Sequence, residues 1–297
     1  MSLTVSNLSK AYGAKPAVRD LSFSMPEPGV FGLLGTNGAG KTTSIRMMLG
    51  IIRADEGSAL WNGIPISRET TPFGYMPEER GLYAKVSVAE QLVYFAMLKG
   101  MSKAEAESSV RTWLDRLGMA EYRNAPAESL SKGNQQKIQL IATLTPKPRL
   151  LVLDEPFSGL DPLNTEILRE LISELAAEGM YIIMSSHQMA TVEEFCGDIT
   201  ILHRGRQVLS GSLSAIKAGY GHTRLLLACR EDVAAIAAAC GLRAAGGANE
   251  YRITGDEMAG RFLAALAAAN ILPARFEITE PSLHEIFLSA IAGEDEV

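Results

Sequence analysis

Several absences limit what this chain can be. No apolar run approaches the ~18 residues that a membrane-spanning helix needs, and the first twenty residues lack the apolar core of a signal peptide. The three cysteines, Cys196, Cys229 and Cys240, are odd in number and far from any metal-ligand spacing, which favours thiols in a reducing compartment. We therefore expect a cytoplasmic protein, and any membrane-spanning part of its system should be another chain.

Features typical of nucleic-acid binding are also missing. The net charge is −6, and no run of lysine or arginine of the kind that binds DNA or RNA occurs. At 297 residues, 47% hydrophobic and 21% charged, the chain has instead the composition of a globular protein with a proper core. We expect one large domain, or a large domain with a small one, and no nucleic-acid partner.

The most informative stretch spans residues 35–43 and reads Gly-Thr-Asn-Gly-Ala-Gly-Lys-Thr-Thr. The apolar run 30–34 before it is typical of a buried strand, and apolar residues after it recur at helical spacing. A strand, a glycine-rich loop and a helix fit the phosphate-binding pattern G-x-x-x-x-G-K-[ST], which makes a plain glycine turn the weaker alternative. Glycines let successive backbone N–H groups surround an anion, while Lys41 can reach the β and γ phosphates and Thr42 can bind Mg²⁺. The predicted nucleotide contacts in this stretch are Gly35, Asn37, Gly38, Ala39, Gly40, Lys41, Thr42 and Thr43.

The segments around this loop alternate between strand and helix patterns. Residues 1–30 read as antiparallel strands joined around Gly13, and residues 57–66 read as a hairpin with an Asn-Gly turn. Residues from about 86 to 145 have helical periodicity and form a helical insert. Tyr12, in the first turn, could stack on an adenine ring or be an ordinary turn tyrosine, and spacing alone leaves both open.

Two apolar runs lead directly into residues suited to phosphate chemistry. The run 150–153 ends at Asp154 and Glu155, and the run 181–184 ends near His187. Carboxylates at the end of a buried strand are costly to desolvate unless they bind a metal or move a proton. Ligands bind at the carboxyl ends of parallel strands, so the two carboxylates are candidates for the phosphate site. A lone histidine is more often structural, but the position of His187 at the end of a core strand favours a functional role.

Two helix N-termini add further candidates. Ser131 and Gly133 lie where a helix begins, and backbone N–H groups there could hold a second anion, although such residues more often act only as caps. Asp161 and Pro162 begin another helix, with the aspartate as its cap and the proline in its first turn.

The character of the sequence changes near residues 219–222. From Thr223 onward, three strand-and-helix pairs follow in an alanine-rich stretch with 6 basic and 11 acidic residues. We expect residues 1–220 to form the large domain. Residues 223–297 should form a small α/β domain for interaction or regulation.

Taken in order, the phosphate loop, the helical insert, the stretch 130–135, the Asp154-Glu155 pair and His187 resemble the ATP-binding subunit of an ABC transporter. The order and spacing of five motifs make this resemblance specific, and it covers residues 1–220. It implies an α/β fold: a P-loop ABC-type ATPase domain with a RecA-like core, an antiparallel β subdomain and a helical subdomain, followed by the small domain. It also implies ATP and Mg²⁺ as cofactors and ATP hydrolysis as the activity.

The resemblance assigns a role to each candidate in the main site. Glu155 would be the general base that polarises the attacking water, and His187 would contact the γ-phosphate. Thr42 and Asp154 would hold Mg²⁺, directly or through water. Tyr12 would stack on the adenine.

The resemblance also implies contacts across a dimer. Ser131 and Gly133 would cap the γ-phosphate of a nucleotide bound to a second subunit, and Asp161 lies in the loop that would cross to that subunit. The usual signature Leu-Ser-Gly-Gly-Gln is here Leu-Ser-Lys-Gly-Asn, and Glu78 stands where the sensing loop usually has glutamine. These variants, with Pro-Glu-Glu-Arg-Gly-Leu-Tyr at 77–83, resemble the branch that serves sodium-export or drug-export permeases.

The expected function is therefore an ATP-hydrolysing subunit that dimerises around ATP and drives a separate membrane permease from the cytoplasmic face of the membrane, as an exporter. A soluble ABC-type ATPase acting on nucleic acid or ribosomes is the alternative, but such proteins typically carry two ATPase domains or an inserted coiled coil. A nucleotide-binding regulator without turnover is disfavoured because Glu155 is present.

Overall fold

The computed structural model describes residues 1–79, 81–245 and 250–295. It divides into two compact units, Met1–Gly211 and a second unit that begins at Ser212. The sequence predicted the change of domain between residues 220 and 223. The structural boundary lies before a short helix that the sequence pattern did not indicate.

A single sheet organises the first unit. Its strands are β1 (Leu3–Tyr12), β2 (Lys15–Met25), β3 (Gly29–Gly35), β4 (Glu56–Trp61), β5 (Ile64–Pro65), β6 (Phe73–Met76), β7 (Leu150–Asp154), β8 (Tyr181–Ser186), β9 (Asp198–His203) and β10 (Arg206–Ser212). The helices are α1 (Lys41–Met48), α2 (Val88–Leu98), α3 (Lys103–Arg116), α4 (Lys132–Leu144), α5 (Pro162–Ala177) and α6 (Met189–Phe195). Single 3₁₀ turns lie at Ala120–Tyr122 and Ala127–Ser129.

The sheet combines a parallel and an antiparallel part, in the order β5-β4-β1-β2-β10-β9-β3-β8-β7-β6. Strand β3 pairs in parallel with β8 and β9, and β7 pairs in parallel with β6 and β8. Strand β1 pairs antiparallel with β2 and β4. This arrangement confirms the predicted α/β fold with hairpins at the start of the chain.

The parallel strands are buried because their sequences are largely apolar, with polar residues at the carboxyl ends of β7 and β8. Every residue of β7 and β8 is buried, as expected for strands covered on both faces. Their parallel neighbour β3 lies beside β8, so the carboxyl ends of β3, β7 and β8 meet at one edge of the sheet. The loop 36–40, Glu155 and His187 follow these three ends.

Helix caps explain where the insert begins and breaks. The Ser87 side chain accepts a hydrogen bond from the backbone at the start of α2, and Ser102 forms a capping box with Glu105 at the start of α3. Gly100 and Gly118 follow the two helix ends with positive φ angles. The predicted helical insert is therefore confirmed as α2, α3 and α4. The short helix α6 was not predicted.

The second unit contains α7 (Leu213–Tyr220), β11 (Arg224–Ala228), α8 (Ala234–Ala239), β12 (Arg243–Ala244), β13 (Glu250–Arg252), α9 (Asp256–Ala268), β14 (Arg275–Thr279) and α10 (Leu283–Asp295). From β11 to β14 the order is βαββαβ, and the antiparallel sheet has the order β12-β13-β11-β14, which is the ferredoxin-like topology. Apolar side chains of β11 and α9 meet in its core, among them Leu225, Leu227, Phe262 and Leu266. The sequence pattern predicted all of these elements except α7 and the two-residue strand β12.

Within the described residues, no helix is both long enough and apolar enough to cross a bilayer.

Candidate nucleotide-binding site

The phosphate loop joins the end of β3 to the start of α1. Gly38 and Gly40 have φ angles of 79° and 107°, which side chains with a Cβ rarely adopt. A Cβ on Gly40 would also lie 2.6 Å from the carbonyl oxygen of Ala17. Glycine is therefore required both for the turn and for the close approach of the neighbouring strand.

Lys41, the first residue of α1, is buried beneath this loop. Its Nζ donates to the carbonyl oxygen of Gly35 at 2.8 Å and to that of Thr36 at 3.3 Å. The same nitrogen lies 3.1 Å from Oε1 of Glu155, in an ion pair between two side chains that are each less than one-tenth exposed. The lysine thus bridges the loop and the end of β7.

Glu155 is held in an unusual backbone conformation. Its φ angle is 52°, which is rare and costly for a residue other than glycine and is found mostly at functional sites. Its backbone N–H donates to Oγ of Ser185 at 2.9 Å. Oε2 lies 2.8 Å from Nδ1 of His187, whereas Oε1 has no hydrogen-bond partner among the described residues. One carboxylate oxygen is therefore oriented by the histidine and the other is unsatisfied apart from the charge of Lys41.

Asp154 lies one residue earlier and is fully buried. Its Oδ1 accepts a hydrogen bond of 2.5 Å from Oγ of Ser185. The hydroxyl of Tyr75 lies 3.5 Å from Oδ2. Burial raises the pKa of Tyr75, and the Asp154 carboxylate raises it further. The tyrosine therefore stays protonated beside the carboxylate as a hydrogen-bond donor.

The phosphate loop, Lys41 and Glu155 border an open cavity of about 820 Å³, whereas Asp154 and His187 are not among its lining residues. Its lining residues include Tyr12, Lys15, Pro16, Ala17, Asn37, Gly38, Gly40, Lys41, Thr42, Thr43, Glu78, Glu155, Arg204 and Gly205. Most of the predicted nucleotide contacts are thus brought together. The two exceptions in the phosphate loop, Gly35 and Ala39, contribute backbone: the Gly35 carbonyl binds Lys41, and the Ala39 carbonyl accepts a hydrogen bond from Gly205.

Two cationic residues of the cavity were missed by the sequence analysis. Lys15 lies opposite Tyr12 in the pairing of β1 with β2. Arg204 precedes Gly205, whose N–H donates to Ala39 at 3.1 Å and whose carbonyl accepts from Arg19 at 2.7 Å. Neither residue belongs to a motif, because strand pairing and a hairpin turn bring them to the cavity from distant parts of the chain.

Ser131, Gly133 and Asp161 form a separate group. Ser131 caps α4, and Asp161 caps α5 by accepting the backbone N–H of Asn164 at 2.9 Å. The hydrogen bonds from Asn164 lower the pKa of Asp161. A Cβ on Gly133 would lie 2.7 Å from Nδ2 of Asn164 and 3.6 Å from Oδ2 of Asp161, so the two helix starts pack together. None of the three predicted residues is among those that line the cavity described above.

The donor set fits Mg²⁺. The Thr42 hydroxyl, the Asp154 carboxylate and the unsatisfied buried oxygen of Glu155 are hard oxygen donors, which Mg²⁺ prefers. Within the described part of the chain, no cluster of three or more His, Cys, Asp or Glu side chains could hold a metal. A metal ion here would therefore take further ligands from phosphate oxygens and water.

Comparison with known proteins agrees with this geometry. The sequence profile of the family described as ABC transporter matches residues 18–158. The chain is 42% identical to the ABC transporter ATP-binding protein YhaQ of Bacillus subtilis, over 98% of this chain and 99% of that protein. It is 35% identical to the linearmycin resistance ATP-binding protein LnrL of the same organism, over 71% of this chain and 69% of that protein.

A solved structure of an ATP-binding subunit of an ABC transporter superposes with a TM-score of 0.67 at 32% identity, covering 74% of this chain and 93% of the other. Together with the phosphate loop and the carboxylates around it, these similarities show that the chain belongs to the ATP-binding subunits of ABC transporters, whose activity is ATP hydrolysis.

Proposed function

We propose that two copies of this chain enclose two ATP molecules, hydrolyse them with Mg²⁺, and drive a separate membrane permease that exports its substrate. The observation that carries the proposal is the division of the site within one chain. The phosphate loop, Lys41 and Glu155 border one cavity, whereas Ser131 and Gly133 lie at a second helix start that is not part of it. A complete site then requires a second chain.

The Lys41 amine can exchange its contacts with Gly35, Thr36 and Glu155 for contacts with phosphate oxygens. Its amine is held by two backbone carbonyls and by the Glu155 carboxylate. A triphosphate in the loop competes for the same charge with more negative oxygens, and charge-assisted hydrogen bonds to phosphate are the stronger kind. When Lys41 moves to the phosphates, the Glu155 carboxylate loses its ion pair and becomes available to a water molecule.

Glu155 then acts as the base in hydrolysis. Phosphoryl transfer to water depends mainly on positioning and on neutralising charge, so a carboxylate that orients the water is sufficient. The contact with Nδ1 of His187 fixes Oε2. A doubly protonated ring would donate from Nδ1 to Oε2 and from Nε2 to a phosphate oxygen, since a neutral imidazole carries only one N–H. Mg²⁺, held by Thr42 and Asp154, would neutralise the charge of the phosphates.

The face that would meet the permease lies beside the helical insert. A groove of about 480 Å³ is bordered by residues from β6, the loop after it, and helices α2 and α4, among them Pro77, Leu82, Phe95, Leu98 and Gln139. Large apolar side chains around it are exposed, with Tyr83 at 53% and Leu98 at 65%. Exposed apolar patches of this kind mark protein interaction sites. The chain would thus work at the cytoplasmic face of the membrane. The export direction is supported by the name of the relative LnrL, which is a resistance protein.

Replacing Glu155 by glutamine tests the base. Glu155→Gln keeps the shape but cannot accept a proton, so ATP should still bind while kcat falls by about 10²- to 10⁴-fold. Dimers should accumulate with ATP, measured by light scattering beside the turnover assay. A variant that no longer binds ATP would argue against this role.

A mixture of two inactive variants tests the shared site. Lys41→Ala removes the phosphate-loop cation, and Ser131→Arg blocks the helix start that should meet the partner's nucleotide. In a mixed dimer both defects fall in one site and the other site is intact, so mixing should restore part of the activity that each variant lacks alone. If Ser131 served the site of its own chain, no intact site could form and mixing would restore nothing.

Replacing Arg204 tests whether the cationic side chains at the Tyr12 end of the cavity contribute to nucleotide binding. Because this end should hold the base, the ribose and the first phosphate, Arg204→Gln should weaken ATP and ADP binding equally. The expected loss is about two- to fivefold, as for a solvent-exposed ion pair. Arg206→Gln on the neighbouring strand is the matched control and should change neither affinity in calorimetry. A loss for ATP alone would place Arg204 at the terminal phosphate instead.

Leu98 tests the docking face. Leu98→Glu puts a charge on the exposed rim of the groove and should abolish co-purification with a membrane protein from detergent extract, while the ATPase activity of the isolated chain stays unchanged. Leu272→Glu, at a side chain that is 90% exposed in the second unit, is the control. Equal co-purification of both variants would contradict the assignment of this face.

A further inference from the structure

Helix α4 carries two buried glutamines, Gln136 and Gln139, whose side-chain amides form hydrogen bonds with residues outside the helix. Gln136 is 8% exposed and Gln139 is 6% exposed. Residues three apart lie on the same face of a helix, so both side chains project toward the same neighbours. Buried amides need hydrogen-bond partners, and the partners found here are the two loops that carry carboxylates into the nucleotide cavity.

Gln139 holds the loop of Glu78. Its Nε2 donates to the carbonyl oxygen of Pro77 at 2.8 Å and to that of Glu79 at 3.2 Å. These two carbonyls flank Glu78, whose side chain lines the nucleotide cavity. The backbone on both sides of this carboxylate is therefore tied to one side chain of α4.

Gln136 holds the loop of Glu155 in the same way. Its Nε2 donates to the carbonyl oxygen of Pro156, the residue that follows Glu155. The φ angle of Glu155 is 52°, a conformation that persists only when its surroundings enforce it. The hydrogen bond from Gln136, together with the one from Glu155 N–H to Ser185, supplies part of that enforcement.

We propose that Gln136 and Gln139 are positioning residues for hydrolysis, which couple the placement of Glu155 and Glu78 to the position of α4. This inference rests on the proposed function, in which the first residues of α4 meet the nucleotide of the partner copy. Neither glutamine lines the cavity, so both act through the loops they hold. Contact of Ser131 with the partner's phosphate moves or fixes α4, and the two amides carry that displacement to the carboxylates of α4's own chain.

A purely structural role would predict a different pattern of effects, and Gln91 provides the matched control. It is 1% exposed, and its Nε2 donates to the carbonyl oxygen of Val86 at 3.1 Å while its Oε1 accepts from the N–H of Tyr83 at 3.1 Å. It therefore holds residues 83–86 with the same chemistry, at the end of the connection between β6 and α2 that lies away from Glu78.

The test compares methionine variants, which keep the length of glutamine and remove its donor. Gln136→Met and Gln139→Met should each lower kcat by about tenfold to a hundredfold, because small misplacements of reacting groups have effects of that size. The KM for ATP and the affinity for ATP should change by less than about twofold, since neither residue touches the nucleotide. Gln91→Met should lower the midpoint of thermal unfolding by about as much as the other two variants do. It should leave kcat unchanged.

A double-mutant cycle tests whether Gln139 acts through Glu78. If it does, Gln139→Met should have little further effect on kcat in a Glu78→Gln background. The inference is overturned if kcat of both methionine variants stays within about twofold of the parent, if Gln91→Met loses as much activity, or if the effects in the cycle simply multiply. Should Gln139→Met not fold, Gln139→Ala keeps the helix and removes the same hydrogen bonds, and the same criteria apply.

Failure of the proposed function has a different signature. If the parent does not hydrolyse ATP, or if mixing Lys41→Ala with Ser131→Arg restores no activity, the proposal of a site shared between two copies is contradicted. If those results are as expected and the glutamine variants keep their kcat, only the positioning role fails.

Discussion

The buried carboxylate of Glu155 constrains the site more than any other group. Burying a carboxylate is costly unless it is paired with a cation and hydrogen-bonded. Here Lys41 supplies the cation at 3.1 Å, and His187 contacts the second oxygen at 2.8 Å. The phosphate loop is therefore linked through Lys41 to a charge that belongs to the end of another strand. A ligand that draws Lys41 away would also change the environment of Glu155, which in the proposed function is the base.

The parallel sheet is what allows this pairing. Strands β3, β7 and β8 are neighbours with buried, apolar sequences, and each delivers a polar group at the same edge. Ser185 connects two of these groups, because its hydroxyl donates to Asp154 and accepts from the N–H of Glu155. The arrangement depends on strand register, and a shift of one residue would turn these side chains to the opposite face of the sheet.

Sequence reasoning reached the parts of the site that lie within continuous motifs. The phosphate loop, Asp154 with Glu155, and the cap Asp161 could be predicted because local spacing alone defines their strand–loop–helix context. Lys15 and Arg204 could not, since strand pairing and a hairpin turn bring them to the cavity. The hydrogen bonds of Gln136 and Gln139 to distant loops could not be predicted from the sequence either. The sequence analysis also did not predict α6, α7 and β12, and β12 has only two residues, too few to show a period.

The charge of the cavity bears on the proposal that two copies share each site. Three cationic side chains, Lys15, Lys41 and Arg204, line it beside two carboxylates, Glu78 and Glu155. This leaves a small positive excess, well below the charge of a nucleoside triphosphate. The carboxylate of Glu78 makes the shortfall larger. A divalent cation and a second helix N-terminus are the two sources of positive potential that remain, and the helix start at Ser131 is exposed at a separate place on the chain. This electrostatic argument therefore supports the proposed division of the site between two copies.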